Sequence, residues 1–114
     1  MTRHNDHHEQ QAARIHAEIE ALGPCLPGTI SARRLRCGNP RCRCRDQERD
    51  QRHGPYHYWT RKISGKTASK LLSPEQAERY RPWLANDKRL HDLVRELEAL
   101  SIQAAEQAEG WGEK

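Results

Sequence analysis

Residues 56–76 read YHYWTRKISGKTASKLLSPEQ, and the order of residue types in them decides the fold class. Residues 56–63 are dense in aromatic and β-branched side chains, which suit a pleated, half-buried surface. Ser64-Gly65 is a hairpin turn, and residues 66–72 return antiparallel to the first strand. Ser73-Pro74-Glu75-Gln76 then starts a helix, with Ser as N-cap, Pro at the first helical position and Gln three residues after the Ser to close a capping box. Simple alternation puts Tyr56, Tyr58, Thr60 and Lys62 on one face of the hairpin and His57, Trp59, Arg61 and Ile63 on the other.

Downstream, the helix from Pro74 is expected to reach about Leu84, and Asn86 or Asp87 to cap a second, longer segment ending near Ala108. Leu90, Leu93, Val94, Leu97, Leu100 and Ala104 form its apolar stripe, an approximate heptad seam that can pair with the N-terminal helix of the same chain or with a second copy in a homodimer. Trp83, among helix residues, reads as core. Upstream, Ala12, Ile15, Ile19 and Leu22 recur at spacings of three and four and predict a helix from about Asp6 to Leu22, stopped by Gly23 and Pro24. His4, His7 and His8 are expected in solvent on its polar start. Residues 29–37 predict a strand that leads into a group of cysteines, and the charged, apolar-free residues 45–54 predict a solvated loop. The fold class is therefore α+β: a short antiparallel sheet with a metal-binding Cys/His loop, flanked by an N-terminal helix and a long C-terminal helix. The segments 1–24, 25–73 and 74–108 are expected to form one compact domain.

With 114 residues, a mean hydropathy of −1.12 and no Phe, the chain has too little apolar material for a large, self-sufficient core. Disulfides, a metal or oligomerisation must make up the deficit. The sequence contains neither a run of about 18 apolar residues nor a secretory pattern at its polar start. No membrane partner and a reducing, cytoplasmic location are the expectation, and in that setting close cysteines serve as metal ligands or redox groups more often than as a disulfide framework.

Cys37-Gly38-Asn39-Pro40-Arg41-Cys42-Arg43-Cys44 gives C-x4-C-x-C, and His53 follows. Three thiolates and an imidazole make a normal tetrahedral zinc shell. Gly38 and Pro40 suit a turn that folds Cys37 back toward Cys42, while the C-x-C element is expected to put two side chains on one face of an extended segment. The surrounding arginines favour thiolate, which promotes metal binding and redox reactivity alike. His57, Cys25, Asp46 and Asp50 compete with His53 for the fourth position, and free structural thiols are the bland alternative. A structural zinc ion on Cys37, Cys42, Cys44 and His53 is the expectation.

Charge is segregated along the chain. Residues 33–70 hold 12 basic side chains against three acidic ones, a net +9, and the remainder carries −5. A basic middle between acidic arms suits a polyanionic partner. The candidate nucleic-acid residues are Arg33, Arg34, Arg36, Arg41, Arg43, Arg61, Lys62 and Lys66, with Tyr56 and Tyr58 available to stack on bases. The bland reading makes the charges a solvated surface and the aromatics a substitute core. A phosphate-cradling Gly-rich loop, G-x-S-x-G and H-E-x-x-H are all absent, so no enzyme is expected.

Beyond single motifs, the order Pro27-Gly28-Thr29, Cys37 to Cys44, His53-Gly54-Pro55-Tyr56, Gly65-Lys66-Thr67 and Leu72-Ser73-Pro74-Glu75 resembles the small DUF6788-type proteins of bacteria and archaea. These share a "PGT/S…CGxPxCxC…HGPYYY…GKT…LspE" order followed by a long helix. The resemblance covers roughly residues 27 to 100 and carries over Cys37, Cys42, Cys44 and His53 as positions of the shared pattern; the acidic loop between Cys44 and His53 is longer than usual. Some members bear a loose transposase-associated label, which implies a mobile-element context. The functional expectation is a zinc-stapled nucleic-acid-binding accessory protein, DNA ahead of RNA. Its rival is a protein–protein interaction module acting through its helices, with the basic region only a solvated surface.

Overall fold

The computed structural model describes residues 3–46 and 51–112. In chain order these form α1 (Arg3–Ala21), β1 (Thr29–Leu35), a single 3-10 turn (Arg43–Arg45), β2 (His53–Ile63), β3 (Lys66–Leu72) and α2 (Pro74–Glu109). The three strands make one antiparallel sheet in the order β1-β2-β3, so the α+β arrangement of a short sheet between an N-terminal and a long C-terminal helix is present. Contacts divide the chain into two compact units. Leu26–Leu84 is one, and the residues up to Cys25 together with those from Ala85 onward are the other. Among the described residues no helix is long and apolar enough to cross a membrane.

In the sheet unit the hairpin folds about Ser64 (φ 50°) and Gly65 (φ 79°), the pair of positive φ values whose twist matches that of the flanking strands. Pairing runs from Ile63↔Lys66 to His57↔Leu72. On the other side of β2, Thr29, Ser31 and Arg33 lie opposite Thr60, Tyr58 and Tyr56. Because directly opposed residues share a face, Arg33, Tyr56, Tyr58, Lys62 and Leu71 lie on one side, and Ile30, Trp59, Arg61, Ala68 and Leu72 on the other. Trp59 is half-buried: its indole N–H donates to the Pro27 carbonyl at 2.8 Å, and the Arg61 guanidinium lies 3.8 Å from its ring centroid. Gly28 (φ 100°) allows this approach, since a Cβ there would collide with the Thr60 carbonyl.

The helix start written in residues 73–76 forms as a reciprocal capping box. Gln76 N–H donates to Ser73 Oγ at 3.1 Å, and Ser73 N–H donates to Gln76 Oε1 at 2.9 Å. The first turns of α2 bury Ala77 (2% exposed), set Tyr80 edge-on to Trp83 at 4.8 Å, and accept the Leu26 N–H at the Trp83 carbonyl. Trp83 is half-buried, short of the full burial its setting predicts.

In the helical unit, Glu18 of α1 meets Arg89 of α2 at 3.3 Å. Gln11 and Ile15 line a groove with Glu96, Leu100 and Gln103, so the two segments run antiparallel around the buried Ile15 and Leu93. Three expectations change. The C-terminal helix is continuous through residues 85–87, because the Asn86 amide is spent on the Pro24 carbonyl at 3.0 Å instead of capping a new segment. Val94 is exposed, since the adjacent Leu93 takes the inward position of the stripe and is itself fully buried. His8 is buried whereas His7 is exposed, because α1 begins at Arg3 and carries His8 onto the same side as Ile15; the side chain of His4 lies outside the described residues.

Candidate metal centre

The strand register builds the site. The β1–β2 ladder shifts between Arg33 and Leu35 and then pairs Leu35 with His53, which brings the imidazole beside the chain two residues before Cys37. His53 is the first residue of β2, so the expected solvated loop ends two residues earlier than the sequence suggested, and β1 stops at Leu35 short of Cys37. Gly54 (φ 113°) follows at the shift. A Cβ there would stand 2.8 Å from both the Arg33 carbonyl oxygen and the Tyr56 nitrogen, closer than any side chain tolerates without movement.

Between these strand ends the cysteine loop folds on its own hydrogen bonds. Asn39 Oδ1 accepts the Arg41 N–H at 3.0 Å, and the Asn39 carbonyl accepts the Cys42 N–H at 3.1 Å, a turn with Pro40 preset at its first central position. Cys42 is extended (φ −71°, ψ 141°) and caps the 3-10 turn that contains Cys44. The C-x-C element is thus a bend and not a straight segment, because the Arg45 and Asp46 N–H groups bond back to the Cys42 and Arg43 carbonyls. Arg45 also donates to the Cys37 carbonyl at 2.6 Å, tying the end of the loop to its beginning.

The result is a group of four donors. The ligand atoms of Cys37, Cys42, Cys44 and His53 all lie within 4.8 Å of one another. Cys37 Sγ is 3.6 Å from Cys44 Sγ, and Cys42 Sγ is 3.3 Å from His53 Nε2. A tetrahedron with metal–sulfur bonds of about 2.3 Å has edges of about 3.8 Å, so these two pairs already stand near the edge length of a zinc shell. Cys44 is fully buried and the other three are half-buried. The thiols differ in acidity. Hydrogen bonds from the Cys44 backbone N–H first, then from the Cys44 and Cys37 thiols and His53, lower Cys42 from 9.0 to about 6. Burial raises Cys44, against the Cys37 N–H that donates to its sulfur at 3.2 Å.

The competing fourth ligands fall away from this group. Cys25 belongs to the helical unit and bonds the Gly23 carbonyl through its thiol. His57 sits on β2 between Leu72 and Ala32. Asp46 lies just past the 3-10 turn and is not among the four grouped donors. Asp50 is outside the described residues.

The candidate nucleic-acid residues do not form one face. Arg36, Arg41 and Arg43 are exposed around the cysteine loop, and their side chains make no ion pair among the described residues. Arg34 donates to the Arg52 carbonyl at 3.0 Å. Arg33 lies 5.2 Å from the ring centroid of Tyr58, on the face that also carries Tyr56 and Lys62. Arg61 and Lys66 point to the opposite side, Arg61 already stacked on Trp59. Sequence reasoning missed that pair, although an i, i+2 Trp-Arg spacing on a strand is the signal for it.

No curated protein and no solved structure matches the chain significantly. The family described as a domain of unknown function, DUF6788, matches residues 8–82, a span that contains both strand ends, the cysteine loop and the start of α2. The chain belongs to the DUF6788 family.

Proposed function

We propose that Cys37, Cys42, Cys44 and His53 hold one structural zinc ion, and that the loop so fixed presents Arg36, Arg41 and Arg43 to DNA. The observation that carries the metal is the convergence of four donors, all within 4.8 Å of one another, from a strand end and a loop. A second observation gives the ion its role. In the sheet unit the only buried apolar residues among those described are Cys44 and Ala77, so a bound ion stands where a larger domain has a hydrophobic core. Three thiolates and an imidazole close the shell, which favours a structural over a catalytic ion. The charge of the loop supports a polyanion as partner, DNA ahead of RNA, with the protein in an accessory role such as that of a mobile element.

The test is native mass spectrometry of untagged protein followed by binding to labelled DNA at low salt. One zinc per chain, with loss of circular dichroism structure on chelation and of DNA binding with it, is the expected result. Metal-free protein with an unchanged spectrum returns the cysteines to free thiols. Zinc-loaded protein that ignores DNA at low salt leaves the staple and removes the partner.

A further inference from the structure

We infer that the Tyr56 face of the sheet binds an unpaired nucleic-acid strand, with one base stacked on Tyr56 at the end of the sheet and the backbone held by Arg33 and Lys62. This deepens the nucleic-acid reading above and rests on it. Three observations converge. The three strands contain no Asp or Glu, and Arg33 and Lys62 lie on the face that carries Tyr56, so that face complements phosphate and nothing on it repels phosphate. Tyr56 is 36% exposed and Leu71, on the same face, 54% exposed. Tyr56, Leu71, Pro55 and His57 line an open cavity of about 620 Å³ at the end of the sheet, ample for a flat base.

Geometry selects a single strand over a duplex. Tyr56 and Tyr58 are two residues apart on one strand, a separation of about 6.8 Å, twice the rise of about 3.4 Å between bases in a duplex. Bases that follow the tyrosines must be unstacked from each other, which an unpaired strand does at little cost and a duplex only by opening. The pair of Arg33 and Tyr58, cation over ring at 5.2 Å, already presents a flat positive surface next to Tyr56. Stacking is tolerant of sequence, so the expectation is a preference for unpaired strands over duplexes without strong base specificity.

The test uses the full-length, zinc-loaded chain and fluorescence anisotropy with labelled oligothymidylate, oligouridylate, and the duplex of oligothymidylate with its complement. Tighter binding of both single strands than of the duplex is expected. Tyr56→Ala should weaken single-strand binding about tenfold and Tyr56→Phe leave it unchanged, because the ring and not the hydroxyl does the stacking. Circular dichroism checks each variant; Leu71→Glu, at an exposed position of the same patch, gives the same loss by repulsion if Tyr56→Ala disturbs the sheet. Preference for oligothymidylate over oligouridylate, or the reverse, assigns the strand to DNA or RNA within the same inference. Equal or tighter duplex binding that ignores Tyr56→Ala and Leu71→Glu overturns it while the nucleic-acid reading stands. Absence of binding to all three probes at low salt overturns both.

Discussion

At the scale of single residues, the two thiols of the C-x-C element do opposite things with their protons. Cys42, surrounded by donors and lowered to about 6, is a thiolate at neutral pH. Cys44, raised by burial, keeps its proton until a cation replaces it. A metal must therefore expel the Cys44 proton and, below about pH 6, the Cys42 proton as well. The sign follows for the folded state too. The depressed Cys42 contributes stability that is full above about pH 9 and lost as pH falls through about 6, whereas the contribution of the raised Cys44 is full below about pH 9 and lost as pH rises through its folded pKa. Zinc affinity, measured against a competing chelator between about pH 6 and 8, is expected to rise with pH. A flat profile would mean that the thiols do not take up the metal. Cys44→Ser should abolish loading, and Cys25→Ser, whose thiol bonds the Gly23 carbonyl, should leave it intact.

At the scale of elements, the helical unit depends on one side chain more than on any other. Leu93 is fully buried in a unit where the only other buried apolar residue among those described is Ile15, so Leu93→Ala is expected to cost about 2–5 kcal/mol through lost contacts and an unfilled cavity. The Glu18–Arg89 pair is about half exposed at both ends, and Glu18→Gln should cost less than about 1 kcal/mol. Thermal melting of the two variants checks both values, and equal shifts would contradict the packing. This also changes what a test of helix-mediated association can use. Leu93 is spent inside its own chain, so loss of a partner on Leu93→Ala would report unfolding, and the exposed Ile102 is the informative position. The elements themselves were legible because their signals are local: the turn at Ser64-Gly65, the box from Ser73 to Gln76, and the three- and four-residue spacings of Ile15 and Leu93. The continuity of α2 was not, because it depends on Asn86 finding the Pro24 carbonyl 62 positions away in sequence, and no local pattern encodes that. The four donors were legible as residue types, but their convergence depends on the β1–β2 register and on the bend at Cys42.

At the scale of the whole molecule, charge is the property that decides how the chain meets a polyanion. The basic middle carries +9 and the remainder −5, so attraction is confined to the sheet unit and its loop while acidic residues elsewhere oppose indiscriminate binding. Each cation that replaces a counterion on the nucleic acid adds a fixed amount to the salt dependence of affinity: about 0.9 on a logarithmic scale for duplex DNA and about 0.7 for a single strand. On the proposed reading, neutralising Arg36, Arg41 and Arg43 together to Gln removes three such contacts. The slope of log affinity against log salt should then fall by about 2.7 if the ligand at the loop is duplex, or by about 2 if it is single-stranded. Tyr56→Ala, which removes stacking and no charge, should lower affinity while leaving that slope unchanged. Salt titrations of the parent chain and the two variants against both kinds of DNA thus separate the loop from the sheet face. An arginine variant with an unaltered slope would show that these side chains are solvated in the complex, and would move the phosphate contacts to Arg33 and Lys62 on the sheet.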